Sequence, residues 1–141
     1  MVKKKVFVSF DFENDRHYKY ILNGWDKNPN FDFEFDDKSS QEINSWNIGV
    51  VKRALSRKIN EADYTLVIVG KEANKLHNDY KEIGYRNWQN YEVAKSKEHG
   101  NKLIGVKINS LYKSPEELLG SSAKWAMSFT QESIIKALES I

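Results

Sequence analysis

"YTLVIVG", residues 64–70, decides the fold of this chain. Leu66, Val67, Ile68 and Val69 are apolar in succession, so neither face of this strand alternates with polar residues. A strand wetted on one face would alternate; one that is apolar throughout must be covered on both faces, as in a parallel sheet flanked by helices. The cover is legible downstream. "NWQNYEVAKSKEHGNKLIGVKIN", residues 87–109, reads as a helix, a turn and a second buried strand. The helix is expected over about 86–99, with Gly100 as a left-handed cap and "KLIGVKI" (102–108) as the strand.

Working outward, "VFVSF" (6–10) is a strand of β-branched and aromatic residues, and "DFEND" (11–15) a polar loop after it. A helix is expected over 16–26 with Tyr20, Ile21 and Trp25 near one face, ended by "NPN" at 28–30. "FDFEF" (31–35) alternates strictly, which suits a half-exposed strand at or near a sheet edge. A long polar loop covers 36–46, and Asn47 caps a helix over 48–62 with Ile48, Val51, Leu55 and Ile59 at helical spacing. A polar loop spans 71–85. Ser114 and Pro115 open a short helix, "KWAMSF" (124–129) is a fifth strand, and Thr130 caps a last helix carrying Ile134, Ile135 and Leu138.

Strands alternating with helices imply right-handed crossovers and one three-layer α/β domain over residues 1–141. The expected arrangement is flavodoxin-like: five mainly parallel strands in the order 2-1-3-4-5. Ligands of such sheets bind beyond the carboxyl ends of the strands, where the winding reverses, here between strands one and three. That rule singles out the segments 10–15 and 70–85, and the start of the helix carrying Trp88 and Glu92.

Composition narrows the classes. A chain of 141 residues with 40% hydrophobic and 30% charged residues suits one folded domain. There is no cysteine, so no disulfide and no thiolate metal site, which fits a reducing, cytoplasmic setting. The net charge is +2 with signs interspersed, giving no reason to expect nucleic acid. No apolar run approaches membrane-spanning length.

The common phosphate grips are missing: there is no G-x-G-x-x-G, no Walker loop and no G-x-S-x-G elbow. His17, His77 and His99 lack metal-ligand spacing. Asp32, Glu34, Asp36 and Asp37 read best as solvated loop acids. Asp11, Glu13 and Asp15 could imitate the acidic pocket of a phosphoreceiver, but the third strand ends in Val69-Gly70, without the phosphoacceptor aspartate. Trp88 and Glu92, four residues apart, share one helix face. Spacing alone leaves two readings: an aromatic foot in the core with Glu92 paired to Lys95 or Lys81, or a carboxylate beside an aromatic in an active site.

Taken in order, "KKKVFVSFDFEND", "ADYTLVIVG", "NWQNYEVAKSKEHGNKLIGVKIN" and the final helix resemble the boxes of TIR-like domains, most of all the bacterial Thoeris ThsB-type proteins. The most specific element is the W-x-x-x-E helix running into "GNKLIGVKIN". The resemblance implies that Glu92 is catalytic in cleaving NAD between nicotinamide and ribose, with Trp88 as its partner. It places Ser9, Phe10, Asp11 and Phe12 in the nucleotide pocket and Asp15 at an acidic position of the family. Phe10, Trp46 or Tyr85 would stack on nicotinamide or adenine. NAD is then a substrate rather than a cofactor, and no metal is called for. The product would be an ADP-ribose-derived signalling nucleotide, cyclic or otherwise, read by a separate effector protein in anti-phage defence; a homo-oligomer is left open.

Nicotinamide leaves NAD as a neutral group from a cationic one, so the reaction needs a carboxylate to stabilise an oxocarbenium-like ribose rather than a strong acid. The chain departs from the family in the long polar segment 70–85, where Glu72-Ala73 replaces the usual hydroxyl residue, and in 36–46, which suits assembly contacts. Two other readings stand beside the enzyme: a non-catalytic TIR-type interaction module, and a nucleoside deoxyribosyltransferase-like enzyme, against which the Trp-Glu helix argues.

Overall fold

The computed structural model describes residues 2–36, 43 and 46–141. Its strands are β1 (Lys4–Ser9), β2 (Phe33–Asp36), β3 (Tyr64–Val69), β4 (Lys102–Lys107) and β5 (Lys124–Ala126), and its helices α1 (Phe12–Asp26), α2 (Ile48–Asn60), α3 (Tyr80–Ile83), α4 (Trp88–His99) and α5 (Gln131–Glu139). The sheet has the order β2-β1-β3-β4-β5, and every neighbouring pair is parallel. The expected flavodoxin-like order is therefore the one found.

Alternation along the strands assigns the layers. Val6, Val8, Leu66, Ile68, Ile104 and Val106 pack with Leu22 of α1 and Ile134 and Leu138 of α5. The intervening residues face the other way: Phe7 meets Val51, Leu55 and Ile59 of α2, and Val67, Val69 and Leu103 meet Val93 of α4. β3 is buried at all six positions, as its composition requires. At the β2 edge Phe33 and Phe35 are buried while Glu34 is exposed. Gly105, inside β4, accommodates its cross-strand neighbour: an added Cβ would lie 2.5 Å from the Trp125 ring.

Several boundaries differ from expectation. The segment 11–15 is the start of α1 rather than a loop, because the Asp11 carboxylate accepts the Glu13 backbone N–H at 3.2 Å and caps the helix. Glu13 and Asp15 then sit at the positive end of the helix dipole. The longer helix also moves the inward stripe: Asp15, Tyr18, Leu22 and Trp25 turn to the core, while Tyr20 and Ile21 are exposed. β2 begins at Phe33 rather than 31. The segment 71–85 contains the single turn α3. Ser114 and Pro115 precede a 3-10 turn, Glu116–Leu118, without a side-chain cap. The caps at Asn47, Gly100 (φ 87°) and Thr130 are found as expected. The segment expected as a loop over 36–46 lies mostly outside the described residues.

Candidate functional site

The site is built where β1 and β3 diverge. β1 alternates, so Ser9 faces α4 while Val8 and Phe10 face the other layer. Ser9 is fully buried and its hydroxyl donates to a carboxylate oxygen of Glu92 at 2.6 Å. Glu92, one turn into α4, is only 2% exposed. A hydrogen bond this short fixes the direction of the Glu92 side chain. Lys95, a candidate partner for an exposed Glu92, pairs with Glu98 at 2.9 Å instead.

Next along β1 and α4, Phe10, Trp88 and Gln89 border a cleft of about 560 Å³, within the usual range of small-molecule pockets. Phe10, Asp11, Phe12, Trp46 and Trp88 all line it, so five of the expected residues converge. The Phe10 and Phe12 rings are 6.4 Å apart, and Trp88 stands edge-on to Tyr91 at 5.6 Å. Trp46 borders the cleft while fully exposed. Neither Ser9 nor Glu92 lines the cleft; their chain neighbours Phe10, Trp88 and Gln89 do, and Gln89 bonds the Ser9 carbonyl. Tyr85 is elsewhere: it packs edge-on against Tyr91 at 5.9 Å and borders a separate depression with Tyr80 and Arg86.

Asp15 does not line the cleft. Its carboxylate lies against Gly70 at the end of β3, where any side chain would collide with it. It is 5% exposed, and its Oδ2 has no hydrogen-bond partner. Burial, aided by the neighbouring Asp11 charge, pushes its pKa from 3.8 up to about 6.

Sequence reasoning missed the groups that hold this arrangement. The Gln89 side-chain amide donates to the Ser9 carbonyl at 3.3 Å and the Ile68 carbonyl at 3.0 Å, joining the ends of the paired strands β1 and β3. Asn87 caps α4 by accepting the Asn90 N–H, and its amide donates to the Ala73 and Lys75 carbonyls, both at 2.9 Å. Asn90 joins Asn74 and Asn87 and accepts the Glu117 N–H. A signal existed: α4 has too few aliphatic residues to cover two buried strands, so some of its polar side chains had to be interior.

The cleft's charge is lopsided. Asp11, Glu13, Glu72 and Asp79 line it against Lys75 and His77. The Asp79 N–H donates to His77 Nδ1 at 2.9 Å, so a neutral His77 ring carries its proton on Nε2. Aromatic walls with excess carboxylate suit a flat, cationic ligand group. Among the described residues, no group of three or more His, Cys, Asp or Glu could hold a metal ion, and no helix is long and apolar enough to cross a membrane.

Comparison with known proteins identifies the family. Residues 7–113 match the family model of the Thoeris protein ThsB, TIR-like domain. A Bacillus cereus (strain MSX-D12) protein described as "Putative cyclic ADP-D-ribose synthase ThsB1" is 28% identical over 111 residues, covering 76% of this chain and 53% of that relative. The chain thus spans about half the length of the curated relative it matches. A crystal structure of a 3-dehydroquinate dehydratase-like protein from Bifidobacterium longum aligns over 100% of this chain and 95% of its own, at 12% identity and a TM-score of 0.47, too loose a likeness to bear on activity. With the family match covering most of its length and the sheet order and W-x-x-x-E helix in place, the chain belongs to the Thoeris ThsB TIR-like domain family.

Proposed function

We propose that this domain cleaves NAD between nicotinamide and ribose and releases an ADP-ribose-derived, cyclic signalling nucleotide for a separate effector. The observation that carries the reading is the buried Glu92 carboxylate, directed by the Ser9 hydroxyl at 2.6 Å, on the same helix as Trp88 and Gln89, which line an acidic and aromatic cleft. The relative's name, a cyclic ADP-D-ribose synthase, supports the same chemistry.

The residues suggest a division of labour. Phe10, Phe12 and Trp88 present ring faces and edges to the flat nicotinamide, and Asp11 and Glu13 favour its positive charge. A ribose hydroxyl that donates to the Glu92 carboxylate, with the Ser9 hydrogen bond kept, brings the sugar to it. The bond from ribose C1′ to the nicotinamide nitrogen breaks, and its electron pair leaves with the nicotinamide, which becomes neutral. The fixed carboxylate then stabilises the positive charge left on the sugar, better than water does because it need not reorient. Attack on C1′ by a nucleophilic atom of the same molecule closes a ring with loss of a proton; attack by water gives linear ADP-ribose.

The test follows wild type and Glu92→Gln in cells under phage challenge, with NAD and its products read by mass spectrometry. An ADP-ribose-type product formed by wild type and lost in Glu92→Gln is the expected result. No product from either, with expression matched and defence intact in both, overturns the reading in favour of an assembly module.

A further inference from the structure

We propose that Gln89 is a positioning residue for the Ser9–Glu92 pair, an inference that rests on the NAD-cleaving reading for its kinetic consequence. The ladder between β1 and β3 ends at the Ser9–Val67 register. Ser9 and Ile68 lie at this end of the ladder, where α4 approaches the strand ends. Buried carbonyls need donors. The Gln89 amide supplies one to both, at 3.3 and 3.0 Å, and Gln89 is itself buried at the wall of the cleft.

Ser9 is thereby held at two points by one helix. Its carbonyl is held by Gln89 and its hydroxyl bonds Glu92, three residues further along α4. Three residues is nearly one helical turn, so the two contacts lie on one face of α4. This couples the backbone of β1 to the carboxylate: when Gln89 lets go, the Ser9 hydroxyl loses its aim, and the carboxylate its direction. Gln89 need not touch the reacting atoms for this. It acts through Ser9.

The experiment uses Gln89→Met, which keeps length and removes the donor, together with Ser9→Ala and the double variant. In wild-type background, Gln89→Met is expected to lower kcat about tenfold or more, because small misplacements of a catalytic group are expensive, with KM for NAD changed by less than about threefold. In Ser9→Ala background the same substitution should change kcat little, since the residue through which it acts is gone. Equal kcat losses in both backgrounds overturn the proposal and leave Gln89 a structural residue. A crystal structure of Gln89→Met gives a reading independent of turnover. The Ser9 Oγ to Glu92 distance should lengthen beyond about 3.5 Å, outside hydrogen-bond range, and an unchanged distance overturns the proposal. If wild type turns over no NAD, the enzyme reading fails while this distance still decides the role of Gln89. Should Gln89→Met not fold, Gln89→Glu, of equal size with an acceptor in place of the donor, takes its place in each measurement.

Discussion

α2 and α4 lie side by side on the same face of the sheet, yet they bury different things. α2 buries Val51, Leu55 and Ile59, a single aliphatic stripe, and leaves its basic residues to solvent. α4 buries Gln89, Asn90, Glu92 and Ser96 together with Tyr91, Val93 and Ala94, leaving hardly a polar face. The stripe of α2 asks only for volume and apolarity, which many side chains satisfy. Each buried polar group of α4 needs its own partner: Gln89 takes two carbonyls, Ser96 bonds Thr65 and the Glu92 carbonyl, and Glu92 takes Ser9. Burying polar groups costs free energy that apolar residues would not, so a helix built this way points to chemistry rather than to packing alone.

The sharpest way to break this contrast is Glu92→Gln. The amide keeps the size and can still accept from Ser9, so the fold should hold, while NAD turnover measured by product mass spectrometry should fall roughly 10²–10³-fold. Undiminished turnover would put α4 in the same class as α2.

Leu55→Ala probes the other helix. It should lower stability by about 2–5 kcal/mol in urea titration, because Leu55 is fully buried against Phe7, yet leave turnover per folded molecule unchanged. A specific loss of turnover would mean that α2 belongs to the site.

Asp15 lies on a different helix but sharpens the same point. The folded chain holds the Asp15 proton more tightly than the unfolded chain, since its pKa rises from 3.8 to about 6. Its contribution is therefore most favourable below about pH 4, and stability declines as pH rises towards about 6 and stays lower above it. Asp15→Asn should raise stability at neutral pH by up to about 3 kcal/mol, with the gain vanishing towards pH 4, as thermal melts across that range would show. A gain that persists at pH 4 would mean that charge burial is not its cause.

The smallest effects separate two helix caps. Asn47→Ala removes the cap of α2 and should cost about 1 kcal/mol. Asn87→Ala removes the cap of α4 and also strands the Ala73 and Lys75 carbonyls, so about 2–3 kcal/mol is expected by denaturant titration. Equal losses would show that the segment after β3 does not depend on Asn87.

Much of the framework was legible because it rests on short-range rules. Val51, Leu55 and Ile59 sit at helical spacing, Gly100 takes the left-handed conformation that ends α4, and the unbroken apolar run of β3 required cover on both faces. The start of α1 was misjudged because Asp11, Glu13 and Asp15 look like a polar loop until one asks whether Asp11 caps them. Five expected cleft residues converge, and Ser9 meets Glu92 outside the cleft lining. Tyr85 lies apart, since in the segment between α3 and α4 its ring turns onto Tyr91.

By itself the sequence determined the layered α/β plan, the helix caps at Asn47, Gly100 and Thr130, and the placing of Trp88 and Glu92 on one helix. These follow from periodicity and cap chemistry, which act over a few residues. Only the tertiary structure decided that Glu92 is buried against Ser9, that Gln89 bridges two strand ends and that Asp15 is pressed against Gly70. Those contacts join residues tens of positions apart, and the free energy of a buried polar group depends on which partner the fold brings to it.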